Sequence, residues 1–172
     1  FDAMKKVFGE HAAIIAEDLG YVTDSVKQLL ADTGYPGMKL IEFAFDSREG
    51  GDYIPYNYTK NCVVYTGTHD NDTLQGWYKA ISEEDREYTI EYLNNRETPV
   101  EEIHWDFIRL ALSTVADTCV ISAQDYLGLG SEARINTPSS IGGNWVWRMK
   151  KGACTRQLSQ KILELSKIYG RS

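Results

Sequence analysis

Two carboxylates in this chain stand where short apolar runs stop. Ala12-Ala13-Ile14-Ile15-Ala16 ends in Glu17-Asp18, and Cys62-Val63-Val64-Tyr65 leads through Thr66-Gly67-Thr68 to His69-Asp70. A buried parallel strand reads this way when its C-terminal end opens into a site. Asp70 follows Glu17 by 53 residues. A (β/α)8 barrel of about 250 residues uses roughly 31 per strand–helix unit, so that spacing is about two units and aims both groups at one pocket. Paired carboxylates do general acid/base work. In retaining glycosyl transfer one is acid and base and the other nucleophile, about 5–5.5 Å apart, around an oxocarbenium-like transition state. The acid must hold a proton at working pH, which burial or a neighbouring negative charge favours. His69, beside Asp70, can donate to a bound ligand's oxygen or act as an acid or base. The competing chemistry is a metal site made of His69, Asp70 and Asp72. The other histidines, His11 and His104, fall in helical contexts. A hydrolytic metal site needs further His or carboxylate ligands in matching turns, so no metal is expected.

The elements that would hold these groups alternate between helix and strand. A helix over 2–10, with Met4, Val7 and Phe8 on one face, leads to a strand over 13–17. Thr23-Asp24-Ser25 caps a helix through Leu29-Leu30 that stops at Gly34. Pro36-Gly37 turns the chain into a strand over 38–45. Residues 46–60, rich in Gly, Tyr and Asn, form a loop. A strand over 61–67 and a short helix over 72–80 follow. Ser82-Glu83-Glu84-Asp85 resembles a capping box for a helix over 83–94. Pro99 opens the next helix, with Ile103, Phe107, Leu110, Ala111 and Val115 as its apolar stripe. Thr118 to Ala123 is the last strand, ending at Gln124-Asp125. Gly128, Gly130, Pro138, Gly142 and Gly143 mark a long loop. Thr155 caps a final helix with Leu158, Ile162, Leu165 and Ile168 on one face. The pattern predicts an α/β chain acting as a single unit over residues 1–172, with about four parallel strands. The strands at 13–17 and 118–123 would be bare edges that demand a partner.

Composition narrows the classes. The chain has 172 residues, 42 % of them hydrophobic, enough for a core of its own. Its net charge is −7, and Arg148-Met149-Lys150-Lys151 is the nearest approach to a basic cluster, so nucleic acid is not an expected partner. No run approaches about 18 apolar residues, so no membrane span is expected. The chain starts Phe1-Asp2-Ala3-Met4, in what reads as the middle of a helix, which predicts a boundary inside a longer protein. The cysteines, Cys62, Cys119 and Cys154, are odd in number, and Cys62 and Cys119 open apolar runs. Buried, reduced thiols of a cytosolic protein are the expectation. Aromatics reach 12 %, with eleven Tyr and four Trp. Sugar sites use such rings for stacking, but most aromatics are core residues.

Four stretches carry a family resemblance. They are Ala16-Glu17-Asp18-Leu19-Gly20; Gly34-Tyr35-Pro36-Gly37-Met38-Lys39 with Phe43-Ala44-Phe45; Val64 to Thr73 around Gly67-Thr68-His69-Asp70-Asn71; and Gln124 to Arg134 running on to Asn144-Trp145-Val146-Trp147-Arg148. They resemble, in order, the C-terminal part of glycoside hydrolase family 77, the 4-α-glucanotransferases also called amylomaltases or disproportionating enzymes. The resemblance implies the C-terminal half of a (β/α)8 TIM barrel, strands five to eight. It implies Glu17 as general acid/base and Asp70 as the stabiliser of the transition state through the hydroxyls of the sugar it holds. It also implies substrate contacts by His69, Asn57, Tyr58 and Asn71. The family's nucleophile is an Asp one unit before the Glu17 strand, in an Arg-Ile-Asp-His-type segment. No such segment is present here, and Asp2 is no substitute. The chain alone is therefore expected to be inactive, or nearly so.

The resemblance implies no metal or organic cofactor, malto-oligosaccharides or other α-1,4-glucans as substrates, and a cytoplasmic location, or a plastid one in a plant. The missing N-terminal half, or a second copy of the chain, would close the barrel. Tyr56 stands where the family usually has His, and Pro138-Ser139 departs from its usual Pro-Gly or Pro-Ala. Asp125 either faces the pocket or caps a turn. Tyr35 and Tyr53 are candidate stacking platforms, and Trp145 reads as loop or barrel-bottom packing. Transfer rather than hydrolysis rests on the resemblance alone. An α-amylase-type hydrolase and a non-catalytic glucan-binding fragment are the alternatives.

Overall fold

The computed structural model describes residues 1–9, 12–20, 22–47 and 51–171. The first helix, α1 (Asp2–Phe8), ends before the predicted residue 10, which with His11 lies outside the described residues. Helix α2 (Asp24–Thr33) begins where Thr23 accepts from the Val26 amide and ends where Gly34 turns left-handed at φ 70°. That is the cap-and-glycine punctuation the sequence carries. Three strands form among the described residues: β1 (Gly37–Leu40), β2 (Cys62–Tyr65) and β3 (Thr118–Val120), parallel and in that order.

The register sorts the sheet into two faces. Met38 pairs with Val63 and Leu40 with Tyr65, while Val63 pairs with Thr118 and Tyr65 with Val120, so these share one face. On the other face Cys62 and Val64 join the main core with residues of α3 (Leu74–Ala80), α5 (Ile103–Ser113) and α7 (Arg156–Ile168). Phe107 of α5 is fully buried and packs edge-on to Trp77 at 5.2 Å and Phe45 at 5.9 Å. Parallel sheets are normally covered on both faces. Here Val120 of the first face is 42 % exposed.

The expected fourth strand, over 13–17, does not form. The segment takes no regular structure and alternates in exposure, with Ala13, Ile15 and Glu17 out and Ile14, Ala16 and Asp18 partly covered. It meets the residue just before β1 through a backbone bond, Ala16 N to Pro36 O at 2.9 Å. The Met38 amide, which a ladder would give to a backbone carbonyl, donates to Asp18 Oδ1 at 2.6 Å. A side chain has taken the place of the next rung. The strand expected over 38–45 stops at Leu40 and becomes a 3-10 turn over Glu42–Phe45. The predicted 46–60 loop holds two further 3-10 turns, Gly51–Tyr53 and Pro55–Asn57.

Helix α4 (Glu83–Leu93) begins at Ser82, whose hydroxyl accepts from the Asp85 amide. Pro99 leads into a 3-10 turn and then α5. A short helix that the sequence pattern missed, α6 (Ala123–Tyr126), follows β3 with Ser122 as its cap. The guanidinium of Arg171 donates to the carbonyls of Leu112, Thr114 and Ala116, tying the end of the chain to the C-terminus of α5. Cys62 is buried, Cys119 partly buried and Cys154 exposed, all unpaired. Burial pushes the Cys119 thiol up to about 11. No helix among the described residues is long and apolar enough to cross a membrane.

Candidate active site

Beyond the C-terminal end of β2 the chain makes a turn whose own side chains build it. Asn71 Oδ1 accepts from the Thr68 amide at 2.9 Å and from Thr68 Oγ1 at 2.7 Å. The Asp70 amide then donates to Thr68 Oγ1 at 3.2 Å. This is the local side-chain chemistry that Asn and Thr bring to turns. Gly67 fits closely here, since a Cβ on it would lie 3.0 Å from Glu42 Oε1 and 3.1 Å from Asn71 Cβ, and both would have to give way.

The loop after α6 clamps the turn from the other side. Asn136 Nδ2 donates to Asp70 Oδ1 at 2.6 Å, and Arg134 Nη2 donates to the Asp70 carbonyl at 2.6 Å. The Asn136 amide donates to the His69 carbonyl at 3.1 Å. His69 Nε2 lies 3.4 Å from Asp70 Oδ1, so a protonated His69 would pair with it. Asp70 is thus oriented on both its backbone and its carboxylate while its side chain stays 48 % exposed, the condition for a carboxylate meant to meet a ligand.

Trp145, expected to pack in its loop or at the barrel bottom, lies against His69 of the turn. Its ring sits 5.2 Å from that of His69 at an interplanar angle of 35°, and the residue is 58 % exposed. It adopts φ +64°, rare for a bulky residue. Its amide donates to Ile135 O at 2.7 Å, and its carbonyl accepts from Arg148. Tyr35 and Tyr53, the candidate platforms, are instead core residues; Tyr53 stacks edge-on to Phe43 at 5.2 Å.

The predicted site residues fall into three places. Glu17 and His69 line one cavity of about 400 Å³, together with Ile15, Met38, Tyr65 and Val120. Burial raises the Tyr65 hydroxyl pKa, and the Glu17 charge adds to it, which places the two side chains near one another. Asp70 and Asn71 line a second cavity of about 690 Å³ with Glu42, Asp72, Trp77 and Arg134. Asn57 and Tyr58 join neither: Asn57 Nδ2 donates to Gly51 O within its own loop at 2.8 Å, and Tyr58 is buried, which raises its hydroxyl above the ordinary range.

Sequence reasoning passed over Glu42, Arg134 and Asn136, and left Asp125 open between facing the pocket and capping a turn; the structure makes it a cap, at the start of α3. Glu42 and Asp125 obey the very signal that found Glu17 and Asp70, an apolar run stopping at a carboxylate after β1 and β3. Asp125 is buried and joins two elements, accepting from Thr66 Oγ1 at 2.6 Å and from the Leu74 amide at the start of α3 at 2.8 Å. Burial raises its pKa, against those hydrogen bonds and one from Ser122. Burial also pushes the Glu42 carboxyl well above the usual carboxylate range, aided by the Asp125 and Asp72 charges and opposed by Asn71 and Arg134.

Parallel strands backed by helices on one face, with the site's charged groups gathered beyond the strands' C-terminal ends, define part of a (β/α)8-barrel enzyme. The sequence model of glycoside hydrolase family 77, 4-alpha-glucanotransferase, matches residues 1–155, and the chain belongs to that family. It is 47 % identical over 172 residues to a 4-alpha-glucanotransferase of Clostridium butyricum and 45 % over 172 residues to one of Synechocystis. A chloroplastic/amyloplastic relative from Arabidopsis thaliana is 41 % identical over 174 residues. Each alignment covers 99 % of this chain but 35 %, 34 % and 30 % of the relative. The structure of Streptococcus agalactiae amylomaltase in complex with acarbose superposes with a TM-score of 0.90 at 37 % identity, covering 99 % of this chain and 34 % of that one. Corynebacterium glutamicum amylomaltase shares the fold at a TM-score of 0.64 and 16 % identity, over 90 % of this chain and 29 % of that one. The chain therefore spans about a third of the length of these relatives.

Proposed function

We propose that this chain is the C-terminal part of a retaining 4-α-glucanotransferase that moves α-1,4-glucan segments between malto-oligosaccharides or onto glucose. Glu17 is the general acid/base. Asp70 accepts from hydroxyls of the sugar at the cleaved bond and stabilises the oxocarbenium-like charge. His69 donates to a hydroxyl of the same sugar. The nucleophile comes from the part of the enzyme outside this chain, so the chain alone gives no turnover. The observation that carries this reading is the Asp70 turn. Asn136 and Arg134 hold it from across the site while its carboxylate stays half exposed beside His69.

That outside part also covers the half-open face of the sheet around Ile15 and Val120, which are 49 % and 42 % exposed. In doing so it turns Glu17 from an exposed group into one lining a closed site. The location follows the source, cytoplasm in a bacterium and plastid in a plant.

The test is incubation with maltotriose, first of the chain alone and then of the chain co-expressed with the N-terminal two thirds of the Clostridium relative. Glucose together with longer oligomers from the pair, lost in Glu17→Gln, is the expected result. Products from the chain alone would show that the nucleophile lies within it. Shorter sugars only, with no lengthening, would make the enzyme a hydrolase.

A further inference from the structure

Glu42 takes no part in the chemistry above, yet it lies directly beneath it. It follows β1, is 3 % exposed, and its Oε1 has no hydrogen-bond partner. Its carboxyl sits against Gly67, where a single methyl group would meet Oε1 at 3.0 Å. The groups facing it are the acids Asp125 and Asp72, the cation Arg134 and the side chain of Asn71. An ionised Glu42 would be a desolvated charge among charges mostly of its own sign, with one oxygen unpaired. A neutral acid has the same shape without that cost.

The contacts of this carboxyl lead to Asp70 by two routes. Asn71 borders the same glycine, Gly67, as the Glu42 carboxyl, and its Oδ1 receives Thr68, whose hydroxyl in turn receives the Asp70 amide. Arg134, the cation nearest in effect, is also the donor to the Asp70 carbonyl. We propose that Glu42 is held as a neutral carboxylic acid under the 67–72 turn and is a positioning residue for Asp70, acting through Asn71 and Thr68. The neutral acid leaves the Asn71 carbonyl directed at Thr68 and leaves Arg134 on the Asp70 backbone. Ionisation draws Arg134 toward Glu42 and off the Asp70 carbonyl, which loosens the turn. The proposal takes its importance from the reading of Asp70 as a site residue. Its test reads the turn itself and is independent of whether the chain binds glucan.

The test is a pH titration of the isotope-labelled chain by NMR, followed at the Asn71 side-chain amide, the Thr68 and Asp70 backbone amides and the Glu42 carboxyl carbon. In the wild type all four are expected to move with one midpoint, well above the roughly 4.3 of a free Glu. In Glu42→Gln that transition disappears from the amides, while the titrations of Asp70, Asp72 and Asp125 remain. Stability gives a second readout. A carboxyl whose folded pKa is raised contributes stability that is full below its unfolded pKa and is lost as pH rises through the folded pKa. The melting temperature of the wild type should therefore fall relative to Glu42→Gln as pH rises, and the two should converge at acid pH. An ordinary midpoint at the Glu42 carboxyl carbon would overturn the proposal without any variant, even if Glu42→Gln failed to fold. So would a raised midpoint that leaves Thr68 and Asp70 unmoved, since Glu42 would then be a buried acid that positions nothing.

Discussion

Asp70 and Glu17 both terminate an apolar run, but the chain holds them by different means. Asp70 sits in a turn built by Thr68 and Asn71, and the loop carrying Arg134 and Asn136 clamps it from across the site. The segment of Glu17 is joined to β1 and the residue before it by a backbone bond from Ala16 and a side-chain bond to Asp18. The difference follows from the parts each needs. The Asp70 turn uses residues within four positions of one another and a loop from the next β/α unit, all on this chain. A strand over 13–17 has β1 on one side only, and an isolated parallel pairing is weak. One half of the candidate site is thus built by many bonds of this chain, and the other half is held by few of them.

The contrast breaks most readily at Asp125, which roots the turn in the core. Asp125→Ala leaves the Thr66 hydroxyl and the Leu74 amide buried without an acceptor. Two lost hydrogen bonds to a charged group cost about 3 kcal/mol, and a chain of this size loses roughly 2–4 °C of melting temperature per kcal/mol. Thermal unfolding followed by circular dichroism should show that fall. A shift of less than about 3 °C would mean the turn stands without Asp125. Next in size is Asn136→Ala. It removes the donor to Asp70 Oδ1, but that carboxylate is half exposed, so about 1 kcal/mol is expected in a urea titration. The sharper readout is orientation. The Asp70 carboxylate should lose its fixed position while the Thr68–Asn71 bonds persist, and an unchanged Asp70 side chain in relaxation measurements would show that the loop does not clamp it.

What the sequence disclosed divides along the same line. Thr23, Ser82 and Thr155 each accept from an amide three residues on, as their positions foretold, because a cap is made within one turn of chain. The apolar runs located the strands for the same short-range reason. The bonds that finish the site reach much farther, from Asn136 to Asp70 and from Asp125 to Leu74. No local pattern announces which distant side chain will arrive. The place of Trp145 beside His69 was not legible, because it depends on where that loop lands. Tyr35 and Tyr53 were misread because a tyrosine near a site looks the same in sequence whether it lines the pocket or the core behind it. The segment over 13–17 was legible in its alternation of exposed and covered residues. Its missing ladder was not, because Asp18 competes for the amide of Met38 across a gap that propensity does not measure.

The smallest expected effect tests the loosely held half. Asp18→Ala removes the acceptor of the Met38 amide, and because the segment has little else to lose the cost is about 0.5 kcal/mol. Hydrogen exchange locates the change: the Met38 amide should lose protection while the amides of Thr68 and Asp70 keep theirs. Glu17→Gln is the control. An exposed carboxylate at the end of that segment should change stability by no more than about 0.5 kcal/mol in either direction. That neutrality makes Glu17→Gln a usable test of the proposed acid/base role, since lost transfer cannot then be blamed on lost folding. Should Met38 stay protected in Asp18→Ala, a backbone carbonyl of the segment has taken its amide. The 13–17 strand then forms on this chain without a partner, and the contrast between the two halves of the site would shrink to a single side chain.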